Sequence, residues 1–433
     1  MFKARNKRVI GYGVVLMLIL SFLSFASLPA LSQKKTTVRI WFVAWESTFI
    51  KPMMNPIFEA LNPGITLKHE IVPWDQLTEK YMSAVASGTM PDVGMMSNQC
   101  NYSGIAAAGG LYDLSEYINK WGDKADIPPS FWKLYTWEEK IYGLPWFGDI
   151  SVMFYRKDIL KEAGYAEPSA TQAISWDELI RMSKKLTTDT NGDGTIDRWT
   201  FDNGTIEPLS YGWPAFWWQF AGGILNKDYT KAALNNEQGL KAGQLIYDLV
   251  YKYHVLPTFE ERGLTGNDIL FIQGNTVMTW AEGWWLQHIP TKGGPRIEGK
   301  WSTSIFPQVD PAHPVAHGTA MALGMGANTK HPDEAWKYME FMLDPTQQML
   351  FYDLTACLPI RMSVWELPKM HERQVVPFGE TLSKYSKTEP YIPGWAGVLR
   401  PFNEAVEKIL RKVESPQQAL GKAASEINEA LAR

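Results

Sequence analysis

The stretch NPGITLKHEIVPWDQLTEKYMSAVASGTMPDVGMM, residues 62–96, decides the fold class. Pro63-Gly64 is a turn, and Thr66 to Val72 predicts a strand. Pro73 ends it, a helix is predicted near Trp74 to Ala86, and Gly88 and Pro91 stop that helix before a short strand at Asp92 to Met96. Upstream, Val38 to Val43 predicts another strand and Phe49 to Leu61 another helix. Strand and helix in alternation imply a parallel α/β sheet. In such sheets ligands gather outside the carboxyl ends of the strands. The loops expected to carry Trp45-Glu46 and Asn98-Gln99 therefore open onto one rim.

The pattern restarts with a strand at Ser151 to Tyr155 and helices near 158–163 and 176–186, which suggests a second α/β lobe. Strands are predicted near 302–306 and 319–324, helices from Pro332 to Leu354, and a helical C-terminus from about Pro401 to Leu431. The chain is expected to cross between lobes more than once, and no repeat of fixed period interrupts it.

Charge and composition narrow the function. Across 433 residues, 42 Lys+Arg face 46 Asp+Glu for a net charge of −4, which argues against a nucleic-acid binder. Two cysteines make neither a disulfide framework nor a thiolate zinc site, although Cys100 and Cys357 are a candidate pair in an oxidising compartment. The 19 Trp, with 19 Phe and 18 Tyr, exceed what core filling asks for, so some indoles are expected to face a ligand. At the N-terminus, Lys3, Arg5, Lys7 and Arg8 precede an apolar run from Val9 to Leu28 and the small residues around Ala30. This reads as a secretory signal peptide over residues 1–32, with an uncleaved anchor as the alternative, and predicts a periplasmic protein.

Enzyme signatures are sparse. There is no Gly-x-Ser-x-Gly elbow and no His-Glu-x-x-His. Gly294 to Lys300 imitates a phosphate loop, but Trp301 stands where Ser or Thr must hold Mg²⁺, so it reads as a surface turn. His313 and His317 are separated by Pro314 and read as loop residues. Asp149 and Glu282 are the carboxyl pair to examine for glycoside hydrolysis. One loop has hard-cation spacing: Asp189, Asn191, Asp193 and Asp197 occupy positions 1, 3, 5 and 9 of an EF-hand-type loop, with Gly194 at 6 and the Thr195 carbonyl at 7. Thr200 replaces the bidentate Glu at 12, so a structural Ca²⁺ is expected only as a brace, and an Asx-rich turn is the alternative. No cofactor is required.

Several segments together resemble a known family. Besides residues 62–96 they are YGLPW at 142–146, MFYRKDILKEAG at 153–164, TDTNGDGTID at 188–197, FAGG at 220–223 and KHPDEAWKYMEFM at 330–342. These resemble the extracellular solute-binding proteins of ABC importers, in particular the family that includes the maltodextrin-binding proteins. The resemblance implies an α/β, two-lobed periplasmic-binding-protein fold of type II, each lobe a mostly parallel sheet flanked by helices, joined by a multi-crossover hinge. The expected division is residues 36–148 plus about 302–360 for the N-terminal lobe and 149–301 plus about 361–433 for the C-terminal lobe. It also implies no catalysis, a sugar or oligosaccharide held between the lobes, a monomer, and ABC permease subunits as partners.

The site residues implied are Trp45 and Glu46 after the first strand, and Asn98, Gln99 and Tyr102 after the third. Trp146 and Asp149 lie before the crossover strand, and Trp213, Trp217 and Trp218 lie on a Trp-Pro helix beside the cleft. Glu282 and Trp284 follow a strand, Trp395 precedes the C-terminal helix, and Arg361 is near the hinge. The chemistry suits a pyranose, whose C–H faces want flat aromatic plates and whose hydroxyls want carboxylates, amides and Arg. Burying roughly 40 Å² of sugar face on one indole contributes about 1 kcal/mol, and a charged hydrogen bond about 1.5–3 kcal/mol. Three of each reach micromolar binding, about 8 kcal/mol, before ordering costs. The alternatives are a secreted glycoside hydrolase using the same cleft, and a binder of acidic or phosphorylated small molecules, which requires clustered Arg or Lys instead of indoles.

Overall fold

The structure is a computed structural model that describes residues 35–97, 101–202, 213–220, 223–387, 392 and 394–432. The expected signal peptide, Asn98, Gln99 and Cys100 lie outside the described residues.

Strand β1 (Thr36–Val43) runs directly into helix α1 (Ala44–Phe49). β2 (Ile65–Val72) pairs with β1 in parallel along its whole length, α2 (Leu77–Ser87) returns across the sheet, and β3 (Val93–Met96) pairs with β1 on the other side. α2 ends on Gly88 at φ +65°, a left-handed cap that costs glycine no Cβ clash. Gly94 in β3 is a second place where only glycine fits: an added Cβ would meet the Tyr81 hydroxyl at 2.2 Å. That close approach lets Tyr81 Oη donate to the Met95 carbonyl at 2.9 Å and ties α2 to the sheet.

The crossover is made by β4 (Gly143–Arg156), 14 residues long and buried at every position. At about 3.3 Å per residue it is about 46 Å long, enough to serve two lobes. Next come β5 (Trp199–Asp202), α3 (Trp213–Phe220), β6 (Thr276–Glu282), α4 (Trp285–Gly293), β7 (Trp301–Ser304) and β8 (Ala316–Met325). The first half of β4, up to Ile150, pairs antiparallel with β8; the second half, from Ser151, pairs antiparallel with β6 and β7. The sheet order is β2-β1-β3-β8-β4-β6-β5. The two ends of that order are parallel, and the strands joining them are antiparallel, so the sheet is mixed. Opposite Met321 and Ala322 the register skips Trp146, a bulge beside Pro145, which has no N–H to give the ladder.

One core cluster joins β1, β2 and β3 to Trp146, Tyr338 and Phe351, and continues through Phe154, Trp285 and Trp301 along one face of the second half of β4. The other cluster fills the opposite side of the second lobe, where Trp176, Phe216, Trp217 and Phe402 meet. The C-terminal helix of the sequence reading is two helices, α5 (Trp395–Leu410) and α6 (Pro416–Leu431). α6 begins at a Ser415/Gln418 capping box, which explains the break. Among the described residues no helix is long and apolar enough to cross a membrane.

Candidate ligand-binding cleft

A cleft of about 330 Å³ opens where the two lobes meet the crossover strands. Trp45 and Glu46 reach it from the first turn of α1, not from a loop as the sequence suggested, because the helix starts at the last residue of β1. Trp74 follows Pro73 at the end of β2, and Phe147, Gly148 and Asp149 come from the middle of β4. Glu282 ends β6, with Gly283 and Trp284 after it, and Met321 and Cys357 complete the lining. The carboxyl ends of β1, β2 and β6 thus share one rim, as the alternation of strand and helix predicts. Gly283 is required by the turn: a Cβ there would meet Leu358 Cγ at 2.6 Å and the Ala356 carbonyl at 3.1 Å.

Three indoles stand open to solvent, Trp45 at 42%, Trp74 at 41% and Trp284 at 38%. Trp284 is held upright by edge contacts with Trp285 and His288, at 6.0 and 5.0 Å between ring centroids. Its Nε1 donates to Glu282 Oε2 at 3.0 Å. Trp45 rests edge-on against Phe49 at 6.2 Å.

Beneath the plates lie three carboxyl groups. Glu282 and Asp149 are hydrogen-bonded to each other, which follows from the pairing of Ser151 with Glu282 across β4 and β6. Burial, then the neighbouring Asp149 charge, holds Glu282 well above the ordinary carboxylate range. Glu46 is pushed up to about 8 by burial, with its own backbone N–H offsetting only part of that. The Cys357 thiol is raised by burial and by the charges of Glu46, Asp149 and Glu282, so it stays a neutral thiol. Asp149 and Glu282 touch, whereas retaining glycosidases hold their two carboxyl groups about 5–5.5 Å apart and inverting ones further.

The structure moves several expected ligand plates into the core. Trp146 is fully buried, stacked on Phe351 at 4.9 Å. Tyr102 is buried edge-on against Tyr135. Trp213 and Trp217 are buried on α3, Trp213 against Phe216 and Trp217 against Phe402, with Trp217 Nε1 donating to the Leu234 carbonyl. Trp218 is buried parallel to the His317 ring, and Trp395 belongs to the second core cluster. Arg361 does not face the cleft either: its Nη2 pairs with Asp123 at 2.9 Å and its Nε with Asp126 at 2.7 Å. The aromatic side chains belong to the two core clusters, where burying large apolar area stabilises most, and Arg361 is held by its two ion pairs. His317 is a buried strand residue, not a loop residue.

Trp74, Phe147 and Met321 were not anticipated. Applying the rim rule to β2 as well as to β1 and β3 finds Trp74, since it sits two residues past that strand; Met321 carries no such signal.

The Asp-rich loop is a ladder of Asx turns. Asp189 accepts from the N–H groups of Asn191, Gly192 and Gly194, Asn191 from Asp193, and Asp193 from Thr195. Asp197 accepts from the N–H and hydroxyl of Thr190. The N–H of Gly194 leads the donors that hold the Asp189 carboxyl below its ordinary range. Among the described residues no group of three or more His, Cys, Asp or Glu is placed to hold a metal ion.

Known proteins share this architecture. A putative binding protein of Brucella abortus is 26% identical over 95% of this chain and 96% of its own length. The diacetylchitobiose binding protein of Streptomyces coelicolor is 23% identical, covering 85% of this chain and 83% of its own. The sugar-binding protein MalE of Xanthomonas citri superposes with a TM-score of 0.80 at 24% identity, over 92% of this chain and 98% of that one. It has the same two-lobed fold. The profile of bacterial extracellular solute-binding proteins matches residues 43–349 of the 433, and with a cleft between two lobes on that scaffold the chain belongs to the bacterial extracellular solute-binding protein family.

Proposed function

We propose that this protein captures a carbohydrate, in oligosaccharide form, between its lobes and presents it to the permease subunits of an ABC importer, making and breaking no bond. The observation that carries this reading is the cleft itself, three solvent-facing indoles over a floor of carboxyl groups. Indole faces suit the C–H faces of a sugar, and carboxyl groups held partly protonated both donate to and accept from its hydroxyls. The relatives named for sugar and diacetylchitobiose binding point the same way. Contact between Asp149 and Glu282 leaves no room for a substrate bond between them, which supports binding over hydrolysis. A binder of acidic or phosphorylated molecules fits less well, since none of the described residues lining the cleft is Lys or Arg.

Trp45 and Trp74 belong to the first lobe and Trp284 to the second, so a ligand touching both faces favours the closed form; one touching a single lobe shifts nothing. The protein works as a monomer in the periplasm after loss of residues 1–32. Tryptophan fluorescence and calorimetry against di- to tetrasaccharides, polyols and uronides test the reading. The expected outcome is a micromolar or tighter oligosaccharide, weakened about tenfold by Trp284→Ala through loss of about 1 kcal/mol of plate contact and of the Nε1 bond that positions Glu282. Release of reducing ends by the pure protein, or preference for a uronide, overturns it.

A further inference from the structure

We propose that the sugar taken up in this cleft carries a protonated amine, an amino sugar whose ammonium group sits among Glu46, Asp149 and Glu282 against the face of Trp284. This rests on the carbohydrate reading above and narrows its ligand class.

The first ground is unmet hydrogen bonding. Glu46 is 5% exposed, and its Oε2 is buried with no hydrogen-bond partner while the side chain lines the cleft; Glu282, 9% exposed, is engaged only by Trp284 and by another acid, Asp149. Orphaned buried acceptors are rare and costly, and they point to a donor that arrives with the ligand. The second ground is charge. Elsewhere the fold meets such carboxylates with a guanidinium, the buried Asp202 with Arg262 and the half-buried Asp126 with Arg361. In the cleft none of the described lining residues is Lys, Arg or His. The third ground is the indoles, whose faces attract a cation as well as a C–H surface.

A neutral hydroxyl donates once and brings no charge to offset a carboxylate. An ammonium donates three times and supplies the missing charge. Without ligand, burial keeps a proton on Glu46, pushed up to about 8; binding of the ammonium releases that proton to solvent, so the amine complex tightens as pH rises from about 6 to 7.5, and burial biases Glu282 in the same direction. The other titratable groups facing these carboxyls are the neutral Cys357 thiol and, behind Glu282, His317 on β8.

The test is fluorescence and calorimetric titration of the purified chain with matched pairs: glucosamine-, galactosamine- and mannosamine-containing di- and trisaccharides against their all-hydroxyl twins. We expect the best amine member to bind at least about tenfold tighter than its twin, with that ratio growing between pH 6 and 7.5. Glu282→Gln, and independently Glu46→Gln, should shrink the ratio to within about twofold, with melting curves confirming that each variant is folded. Twins of equal affinity in every pair, or a preference that survives both substitutions, overturn the amino-sugar assignment and leave the carbohydrate reading standing. Binding of no member of any pair overturns both.

Discussion

Two buried acid sites in this molecule are built in opposite ways. In the second lobe both carboxylate oxygens of Asp202 accept from Arg262 Nε, at 2.9 and 3.1 Å, and the two side chains are sealed from water. In the cleft Asp149 and Glu282 lean on each other, with Trp284 and no guanidinium for company. In the first arrangement the carboxylate's charge is met by a cation from the fold itself. The second is finished only by something from outside, which is how a binding site differs from a core that happens to be polar.

The largest effect that sharpens this contrast is on stability. Arg262→Ala strands Asp202 without its cation and should cost about 3–5 kcal/mol in chemical denaturation, whereas Glu282→Gln should be neutral or stabilising. A similar loss from both would erase the distinction. Tryptophans divide in the same manner. Trp217→Ala, which empties a fully buried site beside Phe402, should cost about 3–5 kcal/mol and leave affinity per folded molecule unchanged. Trp284→Ala should do the reverse.

A smaller effect concerns pH. With Glu46 raised from 4.5 to about 8, the folded state binds more protons than the unfolded one between those values, so this group makes stability fall as pH rises through that window. Glu282, also raised, acts in the same direction. Denaturation at pH 5 and pH 8 should show wild type losing on the order of 2–4 kcal/mol more than Glu46→Gln across the interval; parallel curves would mean that the cleft is wetter than its geometry implies. The smallest expected effect is at the Asp189–Asp197 loop. Its acceptors are already engaged by the loop's own N–H groups, so Ca²⁺ and chelator should differ by under about 2 °C in melting temperature. A larger rise with Ca²⁺ would make the loop a true cation brace.

Local signals in the chain carried the architecture. Strand and helix periodicity in 62–96, the Gly88 stop and the restart at Ser151 were enough for an α/β protein of two lobes; the rim rule pointed to Trp45 and Glu46, and the family resemblance to Asp149, Glu282 and Trp284, all of which line the cleft. What the sequence could not sort was which other aromatics belong to that rim. Trp146 and Phe147 are neighbours, yet a bulge and the alternation of faces bury one and turn the other toward the cleft. Trp217 and Trp284 have the same chemistry and differ only in what covers them. Likewise Arg361 reads as a free cation until Asp123 and Asp126, more than 230 residues away in sequence, are folded against it. Periodicity is a property of neighbours along the chain and survives in the sequence. Exposure and charge pairing are set by contacts between distant segments, and these exist only once the strands have crossed.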